Sequence, residues 1–115
     1  MSQQPLLDQT TIRQLRDTLT SEMRGQLLDI FDVQRERCVA DLVAAVGSGD
    51  RMEIRRVAHM LKGSGASLGA SALHSSCEAL ERGCRRGDAE VTQSQVEELR
   101  VAAVAVSEAL RQQLI

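Results

Sequence analysis

Aromatic side chains are almost missing from this sequence: Phe31 is the only Phe, Tyr or Trp among 115 residues. Strands favour aromatic and β-branched residues, so a sheet sandwich fits poorly. The 43% of hydrophobic residues must instead build an aliphatic core of Leu, Val, Ile, Ala and Met, which suits helix packing. Few rings also means few platforms for base stacking. With 14 basic against 16 acidic side chains, the net charge is −2, and neither property suits a nucleic-acid partner. Proline occurs once, at Pro5, so helices can run uninterrupted after it. No apolar run reaches the roughly 18 residues of a membrane span. The opening MSQQPLLDQT has neither the basic start nor the apolar stretch of a signal peptide, so a cytoplasmic protein is expected. The three cysteines, Cys38, Cys77 and Cys84, are odd in number and contain no CxxC pair, which argues against a disulfide framework or a zinc site. Cys77 and Cys84 lie seven apart on one helix face and read as small core residues in a reducing compartment.

What is present is helical spacing. A chain of this length makes a single domain over residues 1–115. Five segments carry apolar residues at intervals of three and four. The first spans about residues 8–19, with Ile12, Leu15 and Leu19 on one side and Leu6 and Leu7 placed to staple its start. The second spans about 21–46, with a stripe of Met23, Leu27, Phe31, Cys38, Leu42 and Ala45, and stops at Gly47-Ser48-Gly49. The third opens at Asp50, with Glu53 placed to complete a capping box, and carries Ile54, Val57, Leu61, Ser64 and Leu68. The fourth opens near Ser71 and uses Leu73, Cys77, Leu80 and Cys84. Arg82, Arg85 and Arg86 crowd its end, where the helix dipole favours cations, and Gly87 is placed to cap it. The fifth starts at Asp88 and repeats Val96, Leu99, Ala103, Val106 and Leu110. Such helices cannot bury their stripes singly. The expected fold is all-α: an antiparallel up-down four-helix bundle with a short extra N-terminal helix.

The third helix carries the chemistry. At roughly 100° per residue, His59 falls roughly 150° from the centre of its apolar stripe, on the outward side. Arg55, Lys62 and Gly63 are its surface neighbours, with Arg56 and Ala66 close by. An imidazole nitrogen is nucleophilic near neutral pH. A phosphoryl group brings nearly two negative charges, which Lys62 on its flexible stem can balance. Gly63 leaves space beside the ring, and Gly63 and Gly65 each cost about 1 kcal/mol against alanine in a helix interior, which close approach by another molecule would explain. The competing reading is that the helix ends at Gly63 and His59 is an ordinary solvated side chain.

The segment AHMLKGSGASLGA, residues 58–70, resembles the signature of the histidine-phosphotransfer family through His59, Leu61, Lys62, Gly63, Ser64, Leu68, Gly69 and Ala70. Gly49-Asp50, Cys77-Glu78-Ala79-Leu80-Glu81 and Gly87-Asp88 also fit, and the resemblance covers roughly residues 5–112. It implies that His59 accepts a phosphoryl group from a receiver-domain aspartate and passes it to another, between a hybrid sensor kinase and a response regulator. It further implies that Lys62 binds the phosphoryl oxygens and that Gly63 admits the receiver. Ser64 matches the pattern too, although a hydroxyl bonded back to a carbonyl one turn earlier would explain it equally. Members of this family do not autophosphorylate, and nothing here resembles a Gly-rich phosphate loop. No cofactor or metal is expected on this chain, since the magnesium of such a relay sits in the receiver. The partner surface implied is the face around His59, with Met52, Arg55, Arg56, Met60 and Ala66; Met52 and Met60 would offer apolar docking area. His74, lacking a Lys-Gly neighbour, reads as a boundary or solvated residue, and Glu97-Glu98 as a solvated face. A helical adaptor that docks without phosphotransfer is the main alternative. A metal site on His59 and His74 is weaker, because no Glu-x-x-His pair accompanies them. A free-standing monomer is expected.

Overall fold

The computed structural model describes residues 5–87 and 89–115, with side chains for 5–87 and 92–115. Regular structure among them is helical throughout: α1 (Gln9–Thr18), α2 (Ser21–Ser48), α3 (Arg51–Ala66), α4 (Ser71–Arg86) and α5 (Ala89–Leu114). The expected helix start at Asp88 lies outside the described residues. Local chemistry sets the other boundaries. Asp8, Thr20 and Asp50 each accept a hydrogen bond from a first-turn amide of the helix that follows. Gly49 and Gly87 close α2 and α4 in the left-handed conformation, with φ of 72° and 77°. Half of the expected capping box forms. The Asp50 carboxylate accepts from the Glu53 amide at 3.1 Å, but Glu53 turns its own carboxylate to Arg56. The Asp50 amide is already committed to the Ala45 carbonyl at the end of α2, at 3.0 Å.

α2 packs on α3 and α5, and α4 packs on the same two; among the described residues α1 packs on α2 and α5. Inside lie Leu28, Phe31, Leu42, Val57, Leu61, Leu73, Leu80, Leu99, Val106 and Leu110, all essentially inaccessible to water. Each such burial stabilises the fold by about 1.5–3 kcal/mol. The three cysteines are buried among them as free thiols. Burial pushes the Cys77 thiol up to about 12, so it is un-ionised at neutral pH.

The stripe expected on α2 is corrected in its first half. Leu28 is buried, whereas Met23 is 48% and Leu27 36% exposed. The segment has apolar residues on several faces (Leu27, Leu28, Ile30, Val33), so spacing alone chooses no face and packing against α3 and α5 decides. Leu7, not Leu6, is the buried residue ahead of α1.

The lead-in to α1 is stitched to the α3–α4 turn: the Asp8 amide donates to the Gly69 carbonyl and the Ala72 amide to the Leu6 carbonyl. At the other end of α1, Arg16 and Arg24 donate to the carbonyls of Gln113 and Leu114, capping α5. Between α2 and α5, Asp32 accepts from Ser107 and Arg111.

Candidate functional site

The α3 helix runs past both of its internal glycines to Ala66, so it does not end at Gly63. The two glycines serve different ends. Around Gly63 a Cβ would meet nothing within 4 Å, so its missing side chain leaves open surface. At Gly65 a Cβ would come within 3.2 Å of Ala70 and Leu73. Close approach there is internal, letting α4 lie against α3, and corrects the expectation that both glycines face a visiting molecule.

His59 stands on the outer side of α3 with its side chain 75% exposed. Its Nδ1 lies 3.2 Å from Oε1 of Glu81, on α4. The second oxygen of the same carboxylate, Oε2, accepts a hydrogen bond from Lys62 Nζ at 2.7 Å. One half-buried carboxylate thus holds two α3 side chains a turn apart, and the other edge of the imidazole faces solvent. Burial pushes the Glu81 carboxyl upward, but the bonds and charges of Lys62 and His59 outweigh it and hold it below the usual glutamate value. The bond to Glu81 raises Lys62 above the usual lysine value, so the ammonium is charged at any physiological pH.

A shallow hollow beside the ring is lined by Met52, Arg55, Arg56, His59 and Glu81. Met52 is 82% exposed. Arg55 is exposed, and Arg56 is held by Glu53. Met60 is exposed on the next position of the helix. Ala66 is exposed but lines a separate hollow with Asp8, Thr11, Ser71 and His74. Ser64 is half-buried, and its carbonyl accepts from the Ser67 hydroxyl. The structure therefore brings His59, Lys62, Gly63, Arg55 and Met52 onto one face and sets Ala66 at its margin.

Glu81 is the residue that sequence reasoning passed over. A signal for it exists. Gly69 turns the chain ten residues after His59, so folding back places residue 79, one helical turn or less from Glu81, opposite the ring.

Arg85 and Arg86 lie in the last turn of α4, which Gly87 caps as expected. Among the described residues, the Cys84 carbonyl accepts from Arg51 at 2.6 and 3.1 Å and from the Gly87 amide, not from Arg82, Arg85 or Arg86. His74 pairs loosely with Glu78 at 3.8 Å, and Glu97 with Arg100. No group of three or more His, Cys, Asp or Glu among the described residues is placed to hold a metal ion. No helix among them is long and apolar enough to cross a membrane.

The fold is shared with solved structures. The histidine-containing phosphotransfer protein B of Pseudomonas aeruginosa PAO1 superposes with a TM-score of 0.86 at 28% identity, over 97% of this chain and 96% of that one. A candidate histidine-containing phosphotransfer protein from rice gives 0.84 at 17% identity, over 95% of this chain and 81% of that one. The maize histidine-containing phosphotransfer protein gives 0.76 at 21%, over 96% and 88%. No curated protein sequence matches the chain. Residues 9–114 match the Hpt domain, which places this chain in the Hpt domain family, whose function is histidine phosphotransfer in phosphorelays.

Proposed function

We propose that His59 is the phosphoryl carrier of this chain. The observation that carries the reading is the combination at one point of α3: a ring 75% exposed, open surface at Gly63, and the Lys62 ammonium one turn away. In the forward step the imidazole nitrogen attacks the phosphorus of an aspartyl phosphate on a receiver domain of a hybrid sensor kinase. The receiver of a response regulator then takes the group from His59. Lys62 offsets charge on the phosphoryl oxygens, which is where a preorganised cation contributes most. Gly63 admits the partner close enough for in-line transfer. Ser64 takes no chemical step in this scheme.

The receiver docks on the face bearing Met52, Arg55, Arg56 and Met60, with Ala66 at its edge. Magnesium belongs to the receiver's acidic pocket, and this chain holds no cofactor of its own. ATP is not a donor. The chain acts as one domain over residues 1–115, an antiparallel up-down four-helix bundle with α1 as its short extra helix. It works as a cytoplasmic monomer, with one bundle holding a shared core from all four longer helices.

The test is transfer from a panel of phosphorylated receiver domains with magnesium, to the wild type and to His59→Gln. An acid-labile, base-stable label on the wild type and none on the variant is the expected result. Label on both would move the acceptor to another residue, with His74 next. Absence of label from every receiver would favour an adaptor that docks without transfer.

A further inference from the structure

Sulfur divides this chain into two kinds of site. Cys38, Cys77 and Cys84 are buried, and burial pushes all three thiols upward, Cys77 to about 12. A thiol reacts as its thiolate, so these three are protected both by lack of access and by lack of charge. The thioethers are the opposite case. Met23, Met52 and Met60 are all exposed, and Met52, at 82%, is the barest large hydrophobic residue among those described. A thioether needs no ionisation to be oxidised, so access decides which one reacts. Met52 also stands at the site. It lies seven residues before His59, two turns of α3, which is about 10 Å along the axis and nearly the same line on the helix. The two side chains line one hollow with Arg55, Arg56 and Glu81. A protein interface of ordinary size covers about 800 Å² on each partner, a disc of about 16 Å radius. A receiver seated over His59 therefore covers Met52 and buries an apolar side chain that the bundle leaves bare. Met60 is turned roughly 100° round the helix from His59, and Met23 lies on α2.

We propose that Met52 is a redox-modification site: a peroxide oxidises its thioether to the sulfoxide, which weakens docking of the receiver and so slows phosphotransfer without altering the chemistry of His59. The inference rests on the reading of His59 as carrier, with the receiver docked on its face. A sulfur lone pair attacks one peroxide oxygen, and the S–O bond forms as the O–O bond breaks. The second oxygen leaves as hydroxide and takes the proton of the first to become water. Sulfur is oxidised by two electrons, and the peroxide is reduced by the same two. The product is polar and chiral where the docking face was apolar and flexible. Sulfoxide reductases reverse the change, so the modification acts as a switch.

The experiment treats the full chain, as wild type, Met52→Leu and Met60→Leu, with hydrogen peroxide, and peptide mass spectrometry locates the added oxygen. Each protein is then compared with itself before treatment. Calorimetry reads its binding to receiver domains, and transfer is followed over a range of receiver concentrations. Met52 should take up oxygen first. In the treated wild type the receiver concentration for half-maximal transfer should rise about tenfold, the effect of losing one buried apolar contact, with the saturating rate unchanged. Sulfoxide reductases should restore it. Met60→Leu should respond to peroxide as the wild type does, and Met52→Leu should not respond. Phosphoramidate, which transfers its phosphoryl group with loss of ammonia and needs no receiver, should label His59 equally before and after treatment. Complete Met52 sulfoxide with unchanged receiver binding, or an equal response from Met52→Leu, would overturn the proposal. So would loss of phosphoramidate labelling, which would put the damage at the ring. Absence of transfer to the untreated protein would instead count against the carrier reading, while calorimetry still decides the role of Met52.

Discussion

Lys62 and His59 do not touch each other through any hydrogen bond in the structure; they meet through Glu81, which lies 2.7 Å from the one and 3.2 Å from the other. The cation is therefore placed before any phosphoryl group arrives, and no long side chain has to be ordered during transfer. Lys62→Ala should slow transfer from a receiver on the order of 10²–10³-fold, the usual cost of removing one preorganised charge donor. Rapid-quench transfer kinetics measure it, and an unchanged circular dichroism spectrum would show that the bundle survives.

The two glycines of α3 should respond in opposite ways to a methyl group. Gly63→Ala adds a Cβ in open space and should stabilise the helix by about 1 kcal/mol. Gly65→Ala forces Ala70 and Leu73 to give way at 3.2 Å and should recover less of that gain, or lose stability. Urea unfolding of the two variants makes the comparison directly.

A larger side chain at Gly63 should separate folding from partner access. Gly63→Leu is expected to fold and to accept phosphate from phosphoramidate, yet to lose transfer from a receiver domain. Equal loss with both donors would place the obstruction at the ring itself.

Acid should weaken the fold through two carboxylates. Glu81 and Asp32 are both held below their ordinary values of 4.5 and 3.8. For Asp32, burial pushes upward but is outweighed by the Ser107 and Arg111 hydrogen bonds and the Arg111 and Arg35 charges. A group depressed in the folded state contributes stability above its unfolded value and loses it as pH falls through the folded value. Unfolding free energy should thus be level with respect to these groups above about pH 5 and fall below it. The double variant Asp32→Asn, Glu81→Gln should be less stable at neutral pH and show a shallower acid slope in pH-dependent urea melts.

Arg51 ties the start of α3 to the end of α4 through the Cys84 carbonyl. Arg51→Ala should cost about 1.5–3 kcal/mol of stability, the range for a hydrogen bond involving a charged group, while leaving phosphoramidate labelling intact. Arg86→Ala, which removes no bond to that carbonyl, should change stability by less than about 0.5 kcal/mol.

Much of this was legible in the sequence, for identifiable reasons. Helix ends marked by Asp50, Gly49 and Gly87 depend on local chemistry, and the outward position of His59 follows from the period of α3 alone. What escaped required knowledge of neighbours. Leu27 and Leu28 are adjacent apolar residues, and only the placing of α3 and α5 buries the second. Gly63 and Gly65 look alike in sequence, but α4 lies against one of them. Glu81 sits twenty-two residues from His59, on another helix, and pairs with it only once the chain has folded back.

The open side of α3 has a further consequence. His59 is offered on one face, beside one gap at Gly63 and one hollow. On the proposed reading of His59, donor and recipient would use that berth in turn, because neither could sit while the other is moored. An excess of either receiver, phosphorylated or not, would keep the carrier occupied and throttle traffic in both directions. Relative abundance of partners would then set the throughput of the pathway as much as the chemistry at the ring.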